Sequence, residues 1–418
     1  YINNMTTEIE IELDITKKNK NKKNEITFDI KGDFESGLDK SIVNSLRRVL
    51  LSSIPSIAFR TKIDQSDIII KKNNTSLHNE FISDRIGLIP LYINPIDYEK
   101  QYLFHLQVKS SPLTPLSTIT AKDFKIYPLK KNIVIDGENE INLDNYDRTK
   151  ELSDKEKAEI FRPFNFRGKD EYCIITELKS TKSSMEQELD VYGVPSLSYG
   201  YEDAKWQAVS CATYSFKRNE ELFEKVFQEK VKLNNVAKSN QAKFKKELWI
   251  SESERYFHRD KKLEPYWYSF KIDSVHFMSS KELFILSNQI MIDQLERLIL
   301  EFPKISTGEK SILSLEEIDE GIFKITVHGY DDTVGNILQS FISVNMIDDT
   351  SIISVCGYKK KHPLEDIINF TISLNKRNQV FKMPKPQQIV SITEIFHTSC
   401  NLLIQTYSSI KAEADKKL

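Results

Sequence analysis

Four cysteines in 418 residues, Cys173, Cys211, Cys356 and Cys400, are scattered along the chain. No two stand at metal-knuckle spacing, which excludes a local zinc finger and a disulfide scaffold and predicts reduced thiols in an intracellular protein. Glycine is also scarce. The 12 glycines supply neither G-x-x-x-x-G-K-[ST] nor G-x-G-x-x-G, so neither kind of phosphate-cradling loop is expected. The seven histidines form no H-E-x-x-H or other paired-ligand spacing, and no Asp-rich metal cluster occurs. No apolar run approaches the ~20 residues of a membrane span. The polar, acidic start (Glu8, Glu10, Glu12, Asp14) has no signal-peptide pattern. Nor does one sign of charge dominate. Lys plus Arg is 59 and Asp plus Glu is 61, a net charge of -2, which argues against a nucleic-acid coat or a membrane-surface protein. Together these absences disfavour an enzyme acting alone.

What is there reads as a globular chain of two or three domains, with 39% hydrophobic and 29% charged residues. Residues 1–24 form a polar lead that buries little and either stays mobile or edges a sheet. Ile26, Phe28 and Ile30 alternate as a half-buried strand. Asp39 then caps a helix carrying Ile42, Val43, Leu46, Val49 and Leu50, and Pro55 stops it. A strand at Ile68-Ile69-Ile70 and a turn at Asn73-Asn74 lead to a second amphipathic helix with Phe81, Ile82, Ile86 and Leu88. From 92 to 200 the pattern is mostly strand and loop, with the charge-dense Asp147–Lys157 a solvated loop or short helix.

Leu222–Trp249 is Lys-rich and helix-prone. A helix over Lys281–Glu301 presents Leu283, Leu286, Ile290, Leu295 and Leu298, and Pro303 ends it. Residues 303–315 then read as a linker of ~13 residues spanning ~45 Å when extended. The last hundred residues repeat the plan. Phe323, Ile325 and Val327 alternate. Asp332 caps a helix with Val334, Ile337, Leu338, Phe341 and Ile342. Ile353 and Val355 lead to Gly357, and Ile368, Phe370, Ile372 and Leu374 form another strand. A long terminal helix bears Ile389, Ile392, Phe396, Leu403 and Ile410. The same order twice in one chain predicts a pseudo-symmetric dimer made in cis.

Some polar residues sit on otherwise well-formed helices. Asn44, Arg47 and Arg48 lie opposite the apolar stripe of the first helix, as either a solvated face or a docking surface suited to bidentate Arg contacts. Glu80, Asp84 and Arg85 on the second helix carry the same two readings. Asp331-Asp332 reads as helix capping rather than as a metal pair. Trp206 reads as core, with an indole N–H in need of a partner.

Several blocks are then recognisable. Asn44-Ser45-Leu46-Arg47-Arg48-Val49-Leu50 with Ile54-Pro55-Ser56-Ile57-Ala58 resembles the alpha-type assembly subunit of multisubunit RNA polymerases. His78-Asn79-Glu80-Phe81-Ile82-Ser83-Asp84-Arg85-Ile86-Gly87-Leu88-Ile89-Pro90-Leu91 resembles its eukaryotic and archaeal form, the third-largest subunit of RNA polymerase II and its archaeal counterpart. Ser198-Tyr199-Gly200-Tyr201-Glu202-Asp203-Ala204-Lys205-Trp206-Gln207-Ala208-Val209-Ser210 is similar to the stretch ending that family's inserted domain. Asp331-Asp332-Thr333-Val334-Gly335-Asn336-Ile337-Leu338, Cys356-Gly357-Tyr358-Lys359 and His362-Pro363-Leu364-Glu365 resemble the smaller partner, the eleventh subunit of RNA polymerase II and its archaeal counterpart.

The resemblance implies an α+β fold: two alpha-subunit-type dimerisation folds, each an antiparallel sheet with packed helices, pairing in cis, plus a mostly β inserted domain. The first dimerisation domain would comprise 25–59 and 215–302, the insert 60–214, the linker 303–315 and the second domain 316–418. It further implies a non-catalytic assembly platform of a DNA-directed RNA polymerase. The platform would dock the two largest subunits, meet small polymerase subunits, and reach DNA and RNA only through the complex, with no membrane partner. Carried over, Asn44, Arg47, Arg48, Glu80 and Arg85 would face other subunits. Leu46, Val49, Leu286, Ile290, Val334, Gly335, Ile337, Leu338, Phe396 and Leu403 would form the intramolecular dimer. Gly335 would permit close helix packing and Gly357 a tight turn. Fusion of the two subunits is similar to that in large cytoplasmic DNA viruses of eukaryotes. The compartment would be host cytoplasm or virion if viral, nucleus if cellular. Many relatives carry a cysteine-rich metal loop after the Gly-Leu-Ile-Pro-Leu block; residues 92–172 contain no Cys, so neither a metal nor another cofactor is expected. The reading from another class is a free-standing nucleic-acid-binding regulator that uses the basic stretch Lys217–Lys262.

Overall fold

Asp39 starts the first helix as expected, its carboxylate accepting from the Ser41 N–H at 2.7 Å. The structure, a computed structural model, describes residues 9–13, 24–34, 38–96, 98, 101–111, 113–129, 147, 149–180, 186–307 and 311–418. Among these residues lie eight α-helices: α1 (Lys40–Ser52), α2 (Asn79–Gly87), α3 (Asp154–Phe161), α4 (Glu220–Leu233), α5 (Gln241–Glu252), α6 (Ser280–Thr307), α7 (Asp332–Asn345) and α8 (Lys385–Lys417). The fold is α+β with antiparallel sheets. The chain divides into two compact units, one drawn from residues 1–50, 211–273 and 280–418, the other from 51–210 and 274–279.

In the first unit, one sheet has the strand order Glu10–Leu13, Glu25–Lys31, Trp267–Ser274, Val209–Phe216. Part of the polar lead therefore edges this sheet, with Ile11 buried opposite Ile30. Phe28 pairs with Phe270, and Phe284 of α6 sets its ring edge-on to Phe28 at 4.8 Å. A second sheet has the order Leu313–Asp319, Ile322–His328, Ile367–Leu374, Ile353–Lys360. Its buried residues Phe323, Ile325, Val327, Ile368, Phe370 and Ile372 alternate along the strands as the sequence predicts. Helices α7 and α8 pack on this sheet, with Phe396 edge-on to Phe370 at 5.2 Å.

The two long helices pack against each other and run antiparallel. Near one end Lys281 Nζ donates to Asp415 O at 2.9 Å; further along, Lys411 Nζ donates to Gln289 Oε1 at 2.6 Å; beyond that, Phe302 and Phe396 rings meet at 6.1 Å. Buried residues recur at alternating steps of three and four: Phe284, Asn288, Met291, Leu295, Leu298 and Phe302 on α6, and Phe396, Cys400, Leu403, Tyr407, Ile410 and Ala414 on α8. That spacing is the seam of two helices packed side by side.

Several expectations are corrected here. Pro303 does not end α6, which continues to Thr307. Phe302 is anchored in the core, and the Glu301 carboxylate holds the following chain through Ser311 Oγ at 2.8 Å and Ile312 N at 3.3 Å. These ties outweigh the one N–H that proline removes so near a helix end. With a strand starting at Leu313, the 303–315 linker shrinks to the few residues between Thr307 and Leu313. Leu286 and Ile290 are half-buried rather than on the seam. Gly357 lies within a strand opposite Thr371, not in a turn. The cap of α7 is Asp331, one residue before the expected Asp332.

The Lys-rich stretch folds as a helical hairpin. Phe223, Phe227 and Val231 of α4 pack with Leu248 of α5 in a small core of their own. Some of the cations in and beside it are paired: Lys230 with Glu252 at 2.6 Å, Lys245 with Glu224 at 2.6 Å, Arg218 with Glu254 and Lys217 with Asp29.

The second unit is mostly β. A four-stranded sheet of order Ile68–Asn73, Glu188–Gly193, Tyr102–Lys109, Lys125–Pro128 shares its core with α2, α3 and the ribbon Leu116–Thr120/Ile174–Lys179. The charge-dense segment becomes α3, begun by a capping box between Ser153 and Glu156. Trp206 is buried, and its indole N–H donates to Ser196 O at 3.1 Å.

Candidate subunit interface

Helix α1 has three kinds of residue with three destinations. Its apolar stripe, Ile42, Val43, Leu46, Val49 and Leu50, is buried, as are Val334, Ile337 and Leu338 of α7. Ser45 lies in that stripe as a polar exception. Its hydroxyl donates to Ile42 O at 2.6 Å or shares a proton with the Tyr407 hydroxyl of α8, also at 2.6 Å. Tyr407 is fully buried, and burial pushes its phenol well above the ordinary range, so the pair is a neutral hydrogen bond in an apolar setting.

The polar face divides. Arg48 turns toward α7: its Nε donates to Thr333 Oγ1 at 2.9 Å and its Nη2 to Asp331 Oδ2 at 3.2 Å. Asp331 thereby serves α7 twice, since its other carboxylate oxygen caps the Thr333 N–H at 3.0 Å. Arg48, expected as a docking residue, is thus engaged within the chain. Arg47 is held only at Nε, by Asn44 Oδ1 at 2.9 Å, and stays half-exposed. Its terminal nitrogens meet no acceptor among the described residues.

Further bonds cross between α6 and the last hundred residues. Tyr330 donates to Gln294 O at 2.9 Å, and burial raises its phenol pKa to about 12. Gly335 is a position where only glycine fits, although its neighbour is not a helix. A Cβ there would stand 2.7 Å from Cδ2 of Tyr358, on the strand Ile353–Lys360, which corrects the expected helix–helix approach. Cys356 and Cys400 are buried, and burial lifts the Cys356 thiol to about 12, the setting of an inert core residue.

In the second unit, α2 presents its charges to solvent. Glu80, Asp84 and Arg85 are exposed, and so are Phe81 (65%) and Leu88 (68%). Residues 82, 86 and 89 are buried while 81, 84, 85 and 88 form the open face, so the helix shows two large apolar side chains framed by charge. The sequence pattern missed this, because both sets have helical spacing. The block 198–210 is structural. Arg60 grips the Glu202 carboxylate through Nε at 3.1 Å and Nη2 at 3.2 Å, and Ser198 also donates to it. The Ser198 bond, with Arg60 behind it, holds that carboxyl below its usual range. Gly200 lets the chain pass Leu51, whose carbonyl oxygen would lie 2.4 Å from any Cβ.

The family comparison bears on this arrangement. A family model described as the RNA polymerase Rpb3/Rpb11 dimerisation domain matches residues 34–295, more than half of the chain. The chain belongs to this Rpb3/Rpb11 dimerisation-domain family. Among similar proteins, the DNA-directed RNA polymerase subunit Rpo3 of Pyrobaculum arsenaticum is 45% identical over 56 residues, 13% of this chain and 19% of that protein. The DNA-directed RNA polymerases I and III subunit rpac1 of Dictyostelium discoideum is 34% identical over 108 residues, 26% of this chain and 24% of that protein. The Saccharomyces cerevisiae subunit RPAC1 is 37% identical over 59 residues, 14% and 16%. The chain spans a quarter or less of the length of these relatives. The Rpb3/Rpb11 match covers α1 through most of α6 and stops before α7 and α8.

Proposed function

We propose that the protein is a non-catalytic assembly-platform subunit of a multisubunit DNA-directed RNA polymerase. In this reading the chain fuses a third-largest-type and an eleventh-type subunit, and its two dimerisation folds pair in cis. The observation that carries it is the packing of α6, from the family-matched part, against α8, from the last hundred residues, with Ser45–Tyr407 and Arg48–Asp331 joining α1 to the same partner helices. The names of the relatives, all polymerase subunits, support the assignment to that machinery. The pair docks the two largest catalytic subunits. Asn44 and the open guanidinium of Arg47 supply one contact, and Glu80 and Arg85 with Phe81 and Leu88 supply another. Small subunits join the same complex, and nucleic acid is met only through it. The Asn- and Lys-rich composition and the fusion fit a large cytoplasmic DNA virus, which would place the protein in host cytoplasm or virion.

Affinity purification of the tagged chain from its native source, with mass spectrometry, tests the reading. Two very large polymerase subunits in equal amounts, without a separate small alpha-like partner, are the expected result. The chain alone, or an unrelated partner, would overturn it. Arg47→Ala should alter the stability of the isolated chain by less than ~0.5 kcal/mol while weakening its docking to the largest subunits by ~1–3 kcal/mol. Equal loss of both would remove Arg47 from the interface.

A further inference from the structure

Gly357 stands in the middle of the strand Ile353–Lys360. A glycine inside a strand marks a left-handed backbone, a crowded neighbour, a bulge or bend, or the close approach of another body. All but the last fail here. The φ of Gly357 is not positive, unlike that of Gly329 at +80°. A Cβ built on it would meet nothing within 4 Å, unlike one on Gly335. The irregularity of the strand lies at residues 353–355, and its pairing with Ile367–Leu374 runs unbroken from Val355–Ser373 to Lys360–Ile368. A side chain would strengthen a strand at such a position, so the bare backbone is a cost to the isolated fold.

The neighbours of Gly357 fix the side to which it opens. Cys356 is buried, and the Tyr358 ring lies against Gly335 of α7 and 6.3 Å from the Phe370 ring. Alternation along the strand then turns Val355, Gly357 and Lys359 to the other face, away from α7 and α8. Val355 is 58% exposed there, and Lys359 and Thr371, the residue opposite Gly357, are exposed too. The result is a notch with Gly357 and Thr371 as its floor. Its walls are Val355 and Lys359, about 13 Å apart along the strand, which is room for one crossing main chain. Lys359 forms no ion pair among the described residues, so one wall offers an open cation. Just past the strand, Leu364 is 89% exposed, in a turn where its N–H donates to His362 Nδ1 at 3.2 Å.

We propose that this face of the strand receives an extended segment of another polymerase subunit, its main chain crossing at Gly357 and one of its carboxylates on Lys359. The inference rests on the reading of the protein as a polymerase assembly subunit, and gives it a docking surface in the last hundred residues in addition to Arg47 and α2. A main chain is what the missing side chain admits, since without a Cβ two backbones come closer than any other residue allows. A second copy of this chain suits the notch less well, because it would bring the same unpaired cation to the contact.

The test uses the tagged full-length chain as wild type, Gly357→Val, Lys359→Glu and Arg47→Ala, expressed in its native source. As an isolated chain, Gly357→Val should unfold at the same urea concentration as wild type or a higher one, since valine suits a strand and its Cβ meets nothing. Its recovery of the two large polymerase subunits should fall by about tenfold or more, and that of Lys359→Glu should fall as well. In the purified wild-type complex, a carbodiimide cross-link should join Lys359 to an Asp or Glu of another subunit. A lowered urea midpoint for Gly357→Val would show that the glycine serves the chain's own fold, and undiminished recovery would remove it from the interface. Either result overturns the proposal, as does a Lys359 cross-link that is missing or is made to a second copy of this chain. Wild type that recovers no large subunit sinks the polymerase reading and this surface with it. Recovery that Arg47→Ala weakens and Gly357→Val does not sinks this surface alone.

Discussion

Single side chains decide how closely the parts of the first unit can approach. Gly335 illustrates it: the Tyr358 ring fills the place of a Cβ, at 2.7 and 2.9 Å from its nearest atoms. Gly335→Ala should therefore destabilise the chain by about 1–3 kcal/mol through overpacking, despite alanine's better helix propensity. In a Tyr358→Ala background the same change should instead stabilise by about 1 kcal/mol. Urea denaturation of the four variants checks the reversal of sign; destabilisation in both backgrounds would mean that something other than the ring forbids the methyl. Tyr407 offers a second case. Tyr407→Phe should cost only about 1 kcal/mol, because Ser45 keeps Ile42 O as a partner. Tyr407→Ala should cost about 3–5 kcal/mol by emptying the seam. If the two variants unfolded at the same urea concentration, the hydroxyl pair rather than the ring would be the stabilising part.

Hydrogen bonds from a short connector can hold elements together. In the second unit the 274–279 segment turns on His276, whose Nδ1 accepts from Met278 N–H at 3.1 Å. The proton therefore sits on Nε2, which donates to Pro55 O at 3.1 Å, tying the segment to the strand Pro55–Ala58. Burial drives the imidazole pKa down from 6.5 to about 4, against the smaller opposing effect of the Pro55 bond. Because the folded value is the lower one, the unfolded chain binds the proton first as pH falls. Stability from this group is complete above pH 6.5 and is lost progressively toward pH 4, by about 3 kcal/mol at most. The difference in unfolding free energy between wild type and His276→Gln should shrink over that window. A constant difference from pH 7 to pH 4 would show that His276 is not kept neutral by the fold.

At the scale of the whole molecule, the connection between α6 and the strand beginning at Leu313 is short, and the contacts it joins are extensive. Introducing a protease site between Thr307 and Ser311 and cutting there should leave the two pieces associated in size-exclusion chromatography. Separation should require denaturant, and reassociation should become concentration-dependent, since the covalent link supplied an effective concentration on the order of millimolar. Pieces that part without denaturant would show that packing of α6 on α8 does not hold the unit together. Residues 311–418 expressed alone should aggregate, because the buried stripe of α8 would then face water.

The α+β class came with the resemblance of whole blocks to a known family. The strand–helix–strand–long helix order that occurs twice, the apolar stripes of α1, α7 and α8, and the capping of α1 by Asp39 were legible in the residues themselves. Those features follow from periodicity and local chemistry, which act within a few residues. Other features depended on what lay across the gap in space. Helical spacing marks 81 and 88 as readily as 82 and 86, and only the packed sheet shows which pair is covered. Arg48 and Arg47 are adjacent and chemically equal, yet one finds Asp331, far along the chain, and the other stays open. Pro303 reads locally as a stop, but Phe302 in the core and Glu301 on Ser311 carry the helix past it. Asp39 gives the same lesson in a single residue: its role as a cap is written beside it in the chain, while the burial of its second oxygen, without a partner among the described residues, is a product of packing.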